Sequence, residues 1–401
     1  MLYERDISAE LLGLQDVKVT KVEKVEKVDD KMFLSVELPC KVHRCPVCMA
    51  ETKQIHDYRT QTIKDIPAFG SSVILLLRKR RYRCACGKRF FEENTWLPRY
   101  RRMTNRVSSA VIEQLAKVNS YSSVAKMYAL SVTTVQRIFD LVSYPKPKLP
   151  NVLGIDEFKG NTGGEKYNVI LTDPENGVVL DILPKRHRSY LSEYFTSFQR
   201  EDRKRTSFFV SDMWDTYVNS AAVYFRNAAQ IVDRFHWIRQ GLQAFEEVRK
   251  QEQKRLGEVL RKNVKHNRYL LLKRYSELTE AQKSRADHVL QASAALSSVH
   301  FLKERLLDIR NETAPEIAIA RLAEWIYDAE TSGLQPFADC ARTYHNWSVG
   351  IVNSLRYPYS NGFTEGCNNK IKVLKRNAYG FRNFNRFRNR ILHVFSNQFQ
   401  I

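Results

Sequence analysis

The sequence predicts a multidomain α+β protein, and three observations predict it. Two close cysteine pairs, Cys45/Cys48 and Cys84/Cys86, lie among short alternating stretches near the N-terminus. Helical periodicity follows and stops at Tyr144-Pro145-Lys146-Pro147-Lys148-Leu149-Pro150, three prolines in seven residues. Beyond that, apolar runs ending in acids give way to a long charged stretch with no proline between Pro184 and Pro315.

The composition narrows the partner. Of 401 residues, 65 are Lys or Arg and 44 are Asp or Glu, a net charge of +21. Such a surplus suits a polyanion, because each neutralised phosphate releases counterions. No long apolar span or acyl-anchor motif supports a membrane partner, and Met1-Leu2-Tyr3-Glu4-Arg5-Asp6 lacks the pattern of a signal peptide. Seven cysteines, four of them in close pairs, point to metal in a reducing compartment rather than to disulfides. A cytoplasmic protein is expected.

Up to about residue 40, weak alternation (Val17 to Val22, Phe33 to Leu38) predicts a strand or two. Cys45-Pro46-Val47-Cys48 and Cys84-Ala85-Cys86 then supply four soft ligands on two turns, the set that tetrahedral zinc requires. Gly87 and Lys88 suit the tight turn of the second loop, and Cys40 or His43 lies near enough to replace one ligand. Four protein ligands leave no open position, so the zinc is structural. Between the pairs, Val73 to Leu77 reads as a strand ending in a basic run, Arg78, Lys79, Arg80 and Arg81, which becomes a candidate DNA contact.

Val107, Val111, Ile112, Leu115 and Val118 form an apolar helical stripe. A short helix over Ser120 to Tyr128, a break at Ala129-Leu130, and a helix capped by Ser131 complete a helix-turn-helix pattern. Its groove-facing candidates are Thr133, Thr134, Gln136 and Arg137. The same pattern fits an ordinary helical bundle; the basic surplus tips the reading to DNA.

After the proline-rich linker come three strands, Val152 to Ile155, Tyr167 to Thr172 and Val178 to Ile182, joined by glycine-containing turns. A helix over residues 188–199 precedes a strand at Ser207 to Ser211 ending at Asp212. A helix from Tyr217 to Phe225 precedes a strand at Ala229 to Val232 ending at Asp233. The order βββαβαβ with acids at strand ends is that of a ribonuclease-H-like domain. Residues from Phe235 to about Asn346 read as an all-α insertion. The boundaries are a zinc-binding β module at 1–103, a helix-turn-helix domain at 104–143 and a linker at 144–150. A ribonuclease-H-like catalytic core at 151–236 is interrupted by the insertion at 237–350 and resumes at 351–401.

The last segment carries the sharpest pattern. At helical spacing Glu365, Asn369, Lys372 and Arg376 share one face, and Cys367, Ile371, Leu374 and Ala378 an apolar one. From Lys370 to Arg390 there are eight Lys or Arg and no acid, with Tyr379, Phe381, Phe384 and Phe387 interleaved. Lys370, Lys372, Lys375, Arg376 and Arg382 are candidate DNA contacts. One acid at a strand end is ordinarily a turn or cap residue. Asp156, Asp212 and Glu365 gathered together suit hard divalent ions, magnesium or manganese. Two such ions roughly 3.5–4 Å apart activate a water or 3′-hydroxyl and stabilise the leaving oxygen of a phosphodiester displacement. The fourth strand lies beside the first, which favours Asp212 as the second acid over Asp233, one strand further out. Asp233 stays as the alternative or accessory ligand. His236 either acts near the scissile phosphate or bonds Asp233. Trp214 and Trp237 are core residues or stack on a flipped base.

Gly154-Ile155-Asp156-Glu157-Phe158, Ser211-Asp212-Met213-Trp214 with Tyr217, Val232-Asp233-Arg234-Phe235-His236, and Asn361-Gly362 with Glu365 to Lys372 resemble the DDE transposases of the insertion-sequence L-three group. Lys375 to Phe384 fits that family too, and so does a cysteine-pair module followed by a helix-turn-helix. The resemblance covers essentially the whole chain. It implies a ribonuclease-H-like fold with a helical insertion, binding to double-stranded DNA at terminal inverted repeats, and metal-dependent strand cleavage and transfer. It also implies synapsis by a homo-oligomer on DNA, in a bacterial, nucleoid-associated setting with no small-molecule substrate. The competing readings are a catalytically silent DNA-binding regulator and a ribonuclease-H-like nuclease without joining activity.

Overall fold

The structure, a computed structural model, describes residues 21–38, 40–92, 97 and 101–396. Part of the expected first strand, Val17 to Thr20, lies outside the described residues. The chain divides into two compact units, the described residues of Met1–Tyr144, Val373–Gly380 and Asn389–Ile401, and those of Pro145–Lys372 with Phe381–Arg388.

In the first unit, β1 (Lys21–Val28), β2 (Lys31–Glu37), β5 (Ile55–Lys64) and β6 (Ser72–Arg83) form a sheet in the order β1-β2-β6-β5, with β7 (Arg89–Phe91) also on β6. The short β3 (His43–Arg44) and β4 (Glu51–Thr52) pair separately. Leu34, Val36, Ile63, Leu75 and Leu77 make the sheet's core. β6 runs, as expected of a strand ending in a basic run, through Arg78 to Arg83, with Arg80 and Tyr82 buried. The bundle follows as α1 (Asn105–Ala116), α2 (Tyr121–Met127) and α3 (Val132–Phe139). Ser120 and Ser131 cap α2 and α3, accepting from the backbone N–H of Ser123 and Thr134. Ala129 turns the chain between them at φ 50°, a left-handed conformation.

The second unit holds β8 (Val152–Phe158), β9 (Asn168–Asp173), β10 (Val178–Leu183), β11 (Phe208–Ser211) and β12 (Ala229–Val232), in the order β10-β9-β8-β11-β12. β8 to β10 pair antiparallel; β11 runs parallel to both β8 and β12. α4 (Arg188–Thr196) and α5 (Arg200–Lys204) precede β11, and α6 (Asp215–Tyr224) precedes β12. Leu153, Ile155, Phe209, Phe195 and Tyr217 fill one face of the sheet; Val152, Val210 and Ile231 lie on the other. The proline-rich segment has no regular structure but is anchored, with Leu149 buried and Lys146 Nζ donating to the Ser197 carbonyl.

From Arg234 to Arg356 the chain is helical: α7 (Arg234–Arg255), α8 (Glu258–His266), α9 (Arg268–Leu272), α10 (Glu280–Leu290), α11 (Ala294–Asn311), α12 (Pro315–Thr331), α13 (Gln335–Asn346) and α14 (Ser348–Arg356). Trp237, Phe245, Leu306, Trp325 and Tyr344 centre their shared core. α14 covers the edge strand β12 closely: a Cβ on Gly350 would lie 2.6 Å from Val232 Cγ2, and Asn353 donates to the Gln230 carbonyl at 2.8 Å. That cover shields an edge otherwise open to pairing. Two further helices, α15 (Gly362–Asn377) and α16 (Phe384–Phe395), complete the described chain. Among the described residues no helix is long and apolar enough to cross a membrane.

Candidate active site

Asp156 sits within β8, two residues before its end, and Asp212 follows β11 directly. β11 pairs Val210 with Gly154, and β12 pairs Val232 with Ser211. Continued, this register sets Asp212 level with Asp156, and Asp233 level with Asp212. Residues level with one another on parallel strands point to one face, so the three acids share a row. Asp233 stands at the N-terminus of α7 but makes no side-chain cap bond; its Oδ1 accepts from the Asn361 backbone N–H at 3.3 Å. Glu365, exposed, lies in the first turn of α15.

Burial and mutual repulsion work together here. Asp156 is pushed up to about 6 by burial and by the charges of Glu157, Asp233 and Glu365. Burial, Glu157 and Asp156 push Asp212 up to about 7, against the pull of Arg186. Burial also raises Asp233, with Glu365 adding and His236 opposing. His236 is lowered by burial, and its Nε2 lies 4.0 Å from Asp233 Oδ2. Asp233 and Glu365 line a cleft of about 330 Å³ with Phe235, Arg310, Tyr359 and Gly362; Asp156 and Asp212 lie outside that lining. Asp212 Oδ1 is buried with no hydrogen-bond partner. Half-buried and buried acids that raise one another, one with an orphaned oxygen, fit a divalent cation.

The second metal site is of a different kind. Cys45, Cys48, Cys84 and Cys86 hold their sulfurs within 4.8 Å of one another; among the described residues this is the one group of three or more potential ligands so gathered. Met49 N–H bonds the Cys45 carbonyl and Gly87 N–H the Cys84 carbonyl, and Gly87 has φ 86° as its tight turn demands. Backbone N–H groups of Cys48 and Val47 help to lower the Cys45 thiol to about 6. Cys40 and His43 are not in the group; Cys40 Sγ lies 3.9 Å from the Tyr82 hydroxyl and His43 packs on the Tyr82 ring.

Residues 153–391 match a family described as Transposase, more than half of the chain. The chain belongs to transposase family ISL3. Residues 41–86 match the zinc-finger of transposase IS204/IS1001/IS1096/IS1165, and residues 92–143 the helix-turn-helix domain of transposase family ISL3. The chain is 29% identical over 390 residues to the transposase for insertion sequence element IS1001 of Bordetella parapertussis, covering 95% of this chain and 96% of that one. It is 24% identical over 253 residues to the transposase for IS1557 of Mycobacterium tuberculosis, covering 57% and 56%. A 51-residue stretch is 55% identical to part of an ATP-dependent protease of Lactococcus lactis; at 13% of the chain it carries no argument about function. The four-cysteine group is accordingly the structural zinc site of a zinc ribbon, and the bundle a DNA-binding helix-turn-helix.

In the transposase, Thr133 and Arg137 are exposed on α3, while Thr134 and Gln136 are half-buried and the Thr134 Oγ1 lies 2.8 Å from Ser131 Oγ. Lys370, Lys372, Arg376 and Arg382 are exposed and Lys375 is half-buried. The basic run in β6 departs from expectation. Arg80 is 6% exposed, bonds the Leu38 carbonyl at 2.6 Å, and pairs with Glu37 at 2.9 Å and Glu92 at 3.3 Å. Its charge is used inside the sheet, so it is no DNA contact. Arg81 bonds both oxygens of Asp57, which lowers its availability likewise. Arg78 remains half-exposed over the Tyr58 ring, and Lys79 stacks on Phe91. Trp237 is fully buried, its Nε1 on Ser354; Trp214 packs edge-on to Tyr217 beneath Arg186.

Sequence reasoning passed over three neighbours of the acids. Glu157 accepts from Arg186 at 2.6 Å and from the Tyr217 hydroxyl at 3.1 Å. Asn361 donates to the Ile155 carbonyl at 3.0 Å, and Asn368 to Asp156 Oδ2 at 2.9 Å. Asn368 lies three residues beyond Glu365, a helical neighbour, and that spacing was its available signal.

Proposed function

We propose that this transposase binds the terminal inverted repeats of its insertion sequence and catalyses metal-dependent strand cleavage and strand transfer, with Asp156, Asp212 and Glu365 as the catalytic carboxylates. The single observation that carries the reading is the level row of acids at the ends of adjacent parallel strands, half-buried at Asp156 and Asp212 and buried at Asp233, with Glu365 close enough to raise Asp156. The strand order β10-β9-β8-β11-β12 supports a ribonuclease-H-like core, with the helices between Arg234 and Arg356 as its all-α insertion. The domain boundaries follow the sequence: zinc module 1–103, helix-turn-helix 104–143, linker 144–150, core 151–236, insertion 237–350 and core 351–401.

Asp156, Asp212 and Glu365 would hold magnesium or manganese, two ions per site, with Asp233 and His236 as accessory groups. Bound there, the metal supplies a nucleophile at neutral pH and neutralises charge on the phosphate. Arg186 and Tyr217 hold Glu157, one on each of its two oxygens, beside the site. Lys370, Lys372, Lys375, Arg376 and Arg382 neutralise phosphates, and Thr133, Thr134, Gln136 and Arg137 read the groove. Arg78 and Lys79 add backbone contacts. The protein acts in the cytoplasm at the nucleoid, as a homo-oligomer bridging two ends.

Strand cleavage and joining on a duplex bearing the element's own terminal repeat tests this, with magnesium or manganese and repeat binding measured in parallel. Asp156→Ala, Asp212→Ala and Glu365→Ala should bind but not cut, and Asp233→Ala reports whether a fourth acid belongs to the site. Wild type that binds but never cuts would make the protein a regulator; cutting without joining would make it a nuclease.

A further inference from the structure

We infer that Asn368 is a positioning residue of the carboxylate site, its Nδ2 fixing Asp156 and its Oδ1 kept as an acceptor for the hydration shell of a bound divalent cation. The inference rests on the reading of Asp156 as a metal ligand. Asn368 is 5% exposed, its Nδ2 donates to Asp156 Oδ2 at 2.9 Å, and its Oδ1 is buried without a hydrogen-bond partner. A buried acceptor left unpaired forfeits its hydration without compensation, so such a group calls for an explanation. The direction of the amide is set by chemistry, since an ionised carboxylate only accepts and must face the NH₂ end.

Asp156 is thereby held at both oxygens, because its Oδ1 accepts from the Glu157 backbone N–H at 2.7 Å. The helix that brings Asn368 there is itself fixed. Thr364 and Thr172 hydroxyls lie 2.8 Å apart, Asn361 bonds the Ile155 carbonyl, and Cys367 and Ile371 are buried beside Asn368. The orphaned Oδ1 therefore stands on a rigid element, one helical turn from Glu365, on a side chain whose Nδ2 bonds Asp156. A neutral oxygen there can accept from a metal-bound water without adding to the repulsion that already raises Asp156 and Asp212.

The test measures manganese affinity of the full-length, DNA-free, zinc-loaded protein by electron paramagnetic resonance, beside thermal unfolding and metal-free repeat binding. The variants are Asn368→Leu, Asn368→Ala, Asp156→Ala and, as control, the exposed neighbour Asn369→Ala. Leucine conserves volume and removes the orphaned oxygen, so a merely structural asparagine would be replaced without loss. The expected result is an Asn368→Leu protein that unfolds no earlier than wild type and binds repeat DNA normally, with manganese affinity reduced about 10–100-fold. Asn368→Ala should show the same loss, and Asn369→Ala none. Wild-type manganese affinity in Asn368→Leu, with Asp156→Ala deficient, overturns the role of Asn368 alone. Wild-type affinity in Asp156→Ala overturns the carboxylate reading and this inference together.

Discussion

Asn361 Nδ2 donates to the carbonyl oxygen of Ile155 at 3.0 Å, so the residue just before the helix of Glu365 is bonded to the residue just before Asp156. The same residue donates its backbone N–H to Asp233, and the Thr364 hydroxyl lies 3.3 Å from its Oδ1. Asn361→Ala frees a buried carbonyl and should destabilise the protein by about 1–3 kcal/mol. Urea unfolding reads that loss, and strand cleavage should fall further than repeat binding does.

Gly154 tests how closely the same elements approach. A Cβ there would lie 2.5 Å from Thr172 Oγ1, 2.9 Å from Pro174 Cγ and 3.1 Å from Asn361 Oδ1. Gly154→Ala should therefore destabilise by about 1–3 kcal/mol through overpacking, seen as a lower unfolding midpoint.

Zinc removal should act on the N-terminal module. Cys84→Ser should reduce zinc from one per chain to well below it by metal analysis, and chelation should disorder the turns around Cys45 and Cys84. Cys40→Ser should retain full zinc, since Cys40 stands outside the ligand group.

Two arginines predicted alike from sequence should separate by assay. Arg137→Ala should leave stability unchanged and weaken repeat binding by about 1–3 kcal/mol if it reads a base, or flatten the salt dependence if it meets a phosphate. Arg80→Ala should do the reverse at root, lowering the unfolding midpoint because Glu37 and Glu92 lose their buried partner.

Acid should loosen the helical segment through His300. Burial and the Lys303 charge lower it to about 4, against an ordinary 6.5, with Asp287 opposing. The unfolded chain then binds the proton more readily. Its contribution is complete above about pH 6.5 and is lost as pH falls through 4, on the order of 3 kcal/mol in all. Stability measured by urea against pH should show that slope, flattened in His300→Leu.

The acids and the strands that carry them were legible because each apolar run stopped at a carboxylate, a pattern that needs no knowledge of partners. The cysteine group was legible for the same reason, since both pairs are local. Arg80 was not, because the acids that pair with it, Glu37 at the end of β2 and Glu92 just after β7, lie on other segments and the run Arg78 to Arg83 alone reads as surface. Asn368 was not, because Asp156 lies 212 residues away in sequence. The proline-rich stretch read as a spacer, yet the Thr206 hydroxyl donates to the Pro150 carbonyl and Leu149 is buried, contacts invisible before the sheet exists.

Arg390 and His393 are buried in the helix-turn-helix unit, where Arg390 donates to the Asn119 carbonyl at 2.9 Å and His393 Nε2 lies 2.8 Å from the Ile112 carbonyl. On a ribosome Arg390 arrives 271 residues after Asn119, an interval on the order of ten seconds or more at ordinary elongation rates. The helix-turn-helix bundle is thus finished only when Asp156, Asp212 and Glu365 have already been made. A nascent or prematurely stopped chain lacks both contacts, so its bundle is incomplete.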